Sequence, residues 1–148
     1  MRRIQRDSKH EGLVKALTSG EKPVFGEIWR LMTFAALLGY RLNLRSPVSQ
    51  SDSGKAIPIT YFDGNPAFRG LLFLLGIVET NETKCMHATD EAEEVLASIF
   101  EEYANGGLRY LVEEIGENSD PFGRLLDITL RFGTPRDVVP KVDLSDLI

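Results

Sequence analysis

At 148 residues the chain is long enough for one domain that buries roughly two-thirds of the surface its unfolded form exposes. Its 17 Lys and Arg against 22 Asp and Glu give a formal net charge of −5, which argues against a general nucleic-acid coat, because non-specific binding rests on neutralising phosphates with Lys and Arg. A single cysteine, Cys85, excludes an intramolecular disulfide; with no charged-then-apolar leader pattern at the N-terminus, a cytoplasmic protein is expected.

In chain order, Ser8-Lys9-His10-Glu11 has the form of a capping box, in which serine and glutamate side chains satisfy each other's free backbone N–H groups at a helix start. It predicts a helix from about Ser8 to Thr18, with Leu13, Val14 and Leu17 on one side and Gly20 placed for a left-handed stop. The segment Val24 to Arg41 is apolar around nearly its whole circumference: Ile28, Leu31, Met32, Ala35 and Leu38 form one face, and Trp29, Phe34 and Leu37 close most of the other. A core helix over about 26–39 is expected, wrapped by neighbours and stopped at Gly39.

Tyr40 to Arg45 alternates with period two, as does part of Ala56 to Phe62, and the polar stretch Ser49 to Lys55 separates them; this predicts a short two-stranded ribbon. Pro58 lacks a ladder donor and so belongs at an edge. Asn65 as a cap and Pro66 in the first helical position open a second core helix to about Glu79. Its run Leu71 to Val78 is too short to span a bilayer, which takes ~20 residues, so no membrane partner is expected. Thr89 or Asp90 caps a helix to about Tyr103 with carboxylates in its first turn. Asn105-Gly106-Gly107 then reads as a break before a short helix over Leu108 to Ile115, and Asp120-Pro121 opens a last helix to about Phe132. The expected architecture is mainly α: a single-domain helical fold of about six helices over residues 1–133, with a small two-stranded β-ribbon between the two core helices, a basic N-terminal arm over 1–7 and an extended tail over 134–148.

Charge is unevenly placed. Residues 1–15 hold Arg2, Arg3, Arg6, Lys9 and Lys15, whereas residues 79–120 hold a dense acidic group that includes Glu91, Glu93, Glu94, Glu101, Glu102, Glu113, Glu114 and Glu117, so an electrically two-ended molecule is expected. A flexible basic arm is a common device for following a phosphate backbone. Arg2, Arg3, Arg6 and Lys9, extended by Arg41, Arg45 and Lys55 around the ribbon, are therefore the candidate nucleic-acid contacts, and replacing the arm arginines is expected to leave the fold intact. In the tail, Val138, Val139, Val142, Leu144, Leu147 and Ile148 are candidates for docking in extended form on a groove of a partner or of a second copy.

No catalytic constellation stands out. Cys85-Met86-His87 with Asp90 lacks the paired spacing and ligand number of a zinc site, and Cys85 with His87 is not placed for a nucleophile and its base, so neither a metal nor a cofactor is expected. The glycine turns at Gly64 and at Gly106-Gly107 lack the Lys-Ser/Thr of a phosphate loop. The abundant carboxylates sit at the solvent-facing spacings of amphipathic helices rather than as an acid–base pair.

The first half carries a further pattern. Phe25, Ile28, Leu31, Met32, Phe34, Ala35, Ala36, Leu38 and Gly39, followed by Arg45, Pro47 and Val48 and then by Ile57, Pro58 and Phe62, is similar to a family of small proteins encoded beside bacterial Dnd genes, which govern phosphorothioate modification of DNA and its associated restriction. The resemblance covers about residues 1–80, leaves the acidic second half unmatched and brings no catalytic signature. It implies a context of DNA-based phage defence. Net charge and resemblance together favour a non-enzymatic accessory subunit whose partner is a larger protein of a DNA-defence complex. The alternative is a small DNA-binding or regulatory protein using the basic arm.

Overall fold

The computed structural model describes residues 2–117 and 120–133; the tail over 134–148, with its six apolar docking candidates from Val138 to Ile148, lies outside the described residues. The elements are β1 (Arg3–Ile4), α1 (Glu11–Thr18), α2 (Ile28–Arg41), β2 (Ile57–Pro58), α3 (Pro66–Thr80), α4 (Asp90–Ile115) and α5 (Pro121–Phe132), with 3-10 turns at Ser8–His10, Ser53–Lys55, Ile59–Phe62 and Thr83–Met86. The fold is mainly α, a single domain with one small antiparallel sheet, as the sequence predicts.

Local caps form where the residue types call for them. Asn65 accepts the Ala67 N–H at 3.0 Å, Thr89 the Ala92 N–H at 3.2 Å and Asp120 the Gly123 N–H at 3.0 Å, each satisfying a donor of the first turn that has no partner inside the helix. The capping box at Ser8 does not form. Asp7 caps instead, accepting the Lys9 N–H, and Glu11 turns to Arg6.

Glycines account for two larger differences. The break expected at Asn105-Gly106-Gly107 is absent, and α4 runs unbroken from Asp90 to Ile115, so the described residues form five α-helices rather than about six. Here the missing side chains let backbones meet: a Cβ on Gly107 would drive into the Ala35 carbonyl of α2, and one on Gly106 into the Leu44 carbonyl. Gly39 does the same from the other helix, since a Cβ there would strike the Tyr103 carbonyl. It is therefore not a stop; α2 continues to Arg41, and the chain turns at Asn43, whose φ of 55° is left-handed.

With Tyr40 and Arg41 helical, the ribbon expected between 40–45 and 56–62 cannot form. β2 pairs instead with β1, Arg3 opposite Pro58 and Ile4 opposite Ile57, so the sheet joins the N-terminus to the segment before α3. The arm is thus a strand, with Ile4 fully buried.

The hub is α4. It packs most extensively on α2, then on α3, and touches β1 and α5. Phe100, Tyr103, Leu108 and Leu111 on α4 meet Leu31, Met32, Ala35 and Ala36 of α2 and Leu72 of α3 in one buried core. The two helices expected to form the core are partly open to solvent: Leu37 and Tyr40 of α2 and Leu74 and Val78 of α3 are exposed. Among the described residues no helix is long and apolar enough to cross a membrane.

Candidate functional site

The N-terminal segment lies along α4, which brings Arg2 of the basic end against the acidic stretch. Arg2 sits between Glu94 at 2.7 Å and Glu101 at 3.0 Å. Glu101 also accepts the Gln5 N–H at 2.6 Å; burial pushes its carboxyl up, and that N–H and Arg2 push back. Asp7, 1% exposed, ties the segment to the loop before β2 by accepting the Ser49 N–H at 3.0 Å and hydroxyl at 2.8 Å. Burial alone would raise the Asp7 carboxyl, but these bonds and the Lys9 N–H outweigh it and hold it at about 2.

The seven candidate nucleic-acid contacts are scattered by this arrangement. Arg45 bridges Glu79 at 2.7 Å and Glu102, with its guanidinium over the Tyr103 ring; Arg41 donates to the Phe132 carbonyl at 3.2 Å. Tyr103 in turn donates to Glu79, and burial followed by that bond pushes its hydroxyl up to about 12. Lys9 stays exposed beside Asp7. Arg6, 6% exposed, is fixed on Glu11 at 2.5 Å and on the Lys55 carbonyl. Only Arg3, Arg6 and Lys55 converge, and they do so at one place.

That place is a cleft of about 710 Å³ between β1, α1, the start of α2 and the 3-10 turn that follows β2. Arg3 reaches it from β1, donating to the Ala56 carbonyl at 2.8 Å; Lys55 reaches it from the preceding turn, with its ammonium 3.7 Å from Glu11 and 3.8 Å from Asp52. The sequence reading missed three further members. Lys15 projects from α1, and Trp29 and Tyr61 form aromatic wall. Trp29 reads as helix core and Tyr61 as a strand residue because apolar periodicity ranks them by hydrophobicity alone; the usable signal was Trp29 at the helix start, beyond the main apolar face. Its ring stands edge-on to Phe62 at 6.2 Å and Phe68 at 4.5 Å between centroids, which fixes it in the wall.

Cys85 and His87 line a smaller cavity beside α4, but Cys85 is buried and its thiol donates to the Glu82 carbonyl at 3.2 Å. Among the described residues no group of His, Cys, Asp and Glu is arranged to hold a metal ion.

The fold and cleft define a small helical protein built around one long central helix, with a cationic and aromatic recess at its N-terminal strand. The chain belongs to the family of DNA sulphur modification system-associated protein 4, whose model matches residues 3–147. The match extends the resemblance seen in the first half across the acidic second half as well. No curated protein and no solved structure matches the chain.

Proposed function

We propose that this chain is a non-enzymatic accessory subunit of a bacterial DNA phosphorothioation-linked modification or restriction system, and that it acts by docking on a larger protein subunit of that system. Support comes first from the use made of its charges: Glu101, Glu102, Glu93 and Glu114 of α4, the richest source of acid–base groups, are each paired with an arginine. Support for docking comes from α5, which buries Leu125 and Ile128 but leaves Phe122, Leu126 and Leu130 exposed at 63%, 48% and 66%. These three residues at i, i+4 and i+8 form one apolar stripe, and the chain continues from this helix into the residues that carry Val138 to Ile148. The occupant that fits is a subunit with an apolar groove long enough to take the stripe and the segment after it.

Co-expression with the sulphur modification and restriction proteins of the same genome, followed by size-exclusion chromatography, tests this reading. Co-elution with one of them is expected, lost on changing Phe122, Leu126 and Leu130 together to Ala or on deleting residues 136–148, with melting little changed. Absence of co-elution with every subunit overturns it, and a truncated chain that unfolds shows instead that the segment packs on its own core.

The alternative, a small DNA-binding or regulatory protein, now draws on Arg3 and Lys55 rather than on a free arm. Duplex binding in a fluorescence-anisotropy titration at low salt, weakened steeply by salt, supports it; no binding at tens of micromolar protein removes it.

A further inference from the structure

The cleft at β1 is positive in a negative protein. Arg3, Arg6, Lys15 and Lys55 face Glu11 and Glu27, an excess of two positive charges in a chain whose net charge is −5. Pairing of Arg6 with Glu11 inside the cleft leaves that excess in place. Arg6 is bound to Glu11, but the other cations keep capacity: Arg3 holds only a carbonyl, Lys55 has its two carboxylates at long range, and Lys15 makes no ion pair among the described residues. All three are exposed at the mouth.

A bare inorganic anion would use these cations and leave the aromatic wall idle. An acidic peptide would do the same. Tyr61 is 58% exposed and lines the cleft, and Trp29 in the same wall is held rigid by Phe62 and Phe68, by the Arg30 guanidinium 5.2 Å from its ring centroid and by its indole N–H donating to Glu27. One exposed ring, Tyr61, with a half-buried one, Trp29, in the same wall and exposed cations alongside matches a ligand that is at once anionic and flat, because stacking on an aromatic side chain and phosphate neutralisation act on its two ends separately. The volume, about 710 Å³, suits one such unit, small-ligand sites running from ~300 to 1,000 Å³.

We propose that this cleft binds a nucleotide unit, its phosphate held by Arg3, Lys15 and Lys55 and its base laid against Tyr61 and Trp29. The unit is supplied either as a free mononucleotide or as one nucleotide of a single strand. The site is separate from the apolar stripe on α5, so it stands or falls independently of the accessory-subunit reading.

Trp29 is the only tryptophan in the chain; it lines this cleft and also an adjoining one beside Arg30 and Phe68, so its fluorescence reports binding and the Lys15 and Lys55 substitutions, which lie in this cleft and not in the other, assign it. Titrating the full-length protein at low salt with adenosine 5′-monophosphate, thymidine 5′-monophosphate, a short oligothymidylate and inorganic phosphate is expected to change that fluorescence with the nucleotide probes and not with phosphate. Lys15→Gln with Lys55→Gln, both at exposed sites, is expected to weaken binding about tenfold and to flatten its salt dependence. Tyr61→Ala is expected to weaken it about tenfold as well, and Tyr61→Phe, which keeps the ring, to restore it. Binding of the oligothymidylate at least about tenfold tighter than of its mononucleotide assigns the site to a strand; equal binding assigns it to a free nucleotide. The proposal is overturned by no response to millimolar mononucleotide and oligonucleotide, by an equal response to inorganic phosphate, or by binding that survives both sets of substitutions in proteins whose far-UV spectra match the parent.

Discussion

The α2–α4 interface and the strap of residues 2–7 across α4 both join distant parts of the chain, yet they are held by different physics. Between the helices, Gly39 and Gly107 bring backbones into direct contact and Leu31, Met32, Leu108 and Leu111 fill the space around them; water is excluded, and a single added methyl has nowhere to go. Beyond Ile4, which is fully buried, the strap is held by ion pairs and hydrogen bonds of Arg2, Arg6 and Asp7 to partners that partly see solvent, so each of these contacts competes with hydration and is worth less than its bare attraction. Dispersion and burial make the first region rigid and unforgiving. Charge makes the second specific but separable.

The sharpest way to break that comparison is in the core. Leu31→Ala and Leu72→Ala, at side chains with at most 1% exposure, are expected to cost ~2–5 kcal/mol each through the cavities they leave, read as a fall in the urea midpoint. An unmoved midpoint removes α2 and α3 from the core. Gly107→Ala adds a methyl rather than removing atoms and is expected to cost about 3 kcal/mol, because α2 and α4 must separate to admit it; an effect near the ~1 kcal/mol gain that Ala ordinarily brings to a helix would mean the helices are not in backbone contact.

In the strap, Asp7 is expected to be the strongest single contact. Its carboxyl lies at about 2 when folded and at 3.8 when unfolded, so the folded state binds the proton more weakly. The stability it contributes is present above pH 4 and lost as pH falls from about 4 to 2, amounting to about 2 kcal/mol. Asp7→Asn should remove that acid-dependent loss from the stability profile; a profile unchanged by the substitution breaks the assignment.

Smallest of all is Arg2→Ala, expected to cost about 1 kcal/mol. It leaves Glu101 buried with only the Gln5 N–H, so a second change, Glu101→Gln, should recover most of the loss in a double-mutant cycle. Additive effects would show that the two side chains do not interact. Together with Arg6, which is buried on Glu11, these contacts reverse the expectation that the arm arginines can be replaced without cost to the fold.

Helices, caps and class were legible in the chain because they depend on near neighbours. Asn65-Pro66, Thr89 and Asp120-Pro121 start helices through bonds to N–H groups two or three residues away, and the apolar spacing of Leu96, Phe100 and Tyr103 marks a buried face without reference to anything else. The core pattern from Phe25 to Gly39, with Arg45-Ser46-Pro47-Val48 and the Ile57-Pro58 to Phe62 segment after it, pointed to the family. What only the tertiary structure decided is whatever depends on a partner far along the chain. A glycine such as Gly107 reads as a break or as a close approach according to whether another backbone passes over it, and the sequence does not say that Ala35 does. Ile57 pairs with Ile4 rather than with the nearer alternating segment, because α2 has already claimed Tyr40 and Arg41. The fate of the arginines was settled the same way: Arg2, Arg3 and Arg6 are nearly equivalent in sequence, but strand alternation and the position of α4 turn the first toward Glu101, lock the last on Glu11, and leave Arg3 at a cleft with Lys15, Lys55, Trp29 and Tyr61, residues whose proximity no local signal encodes.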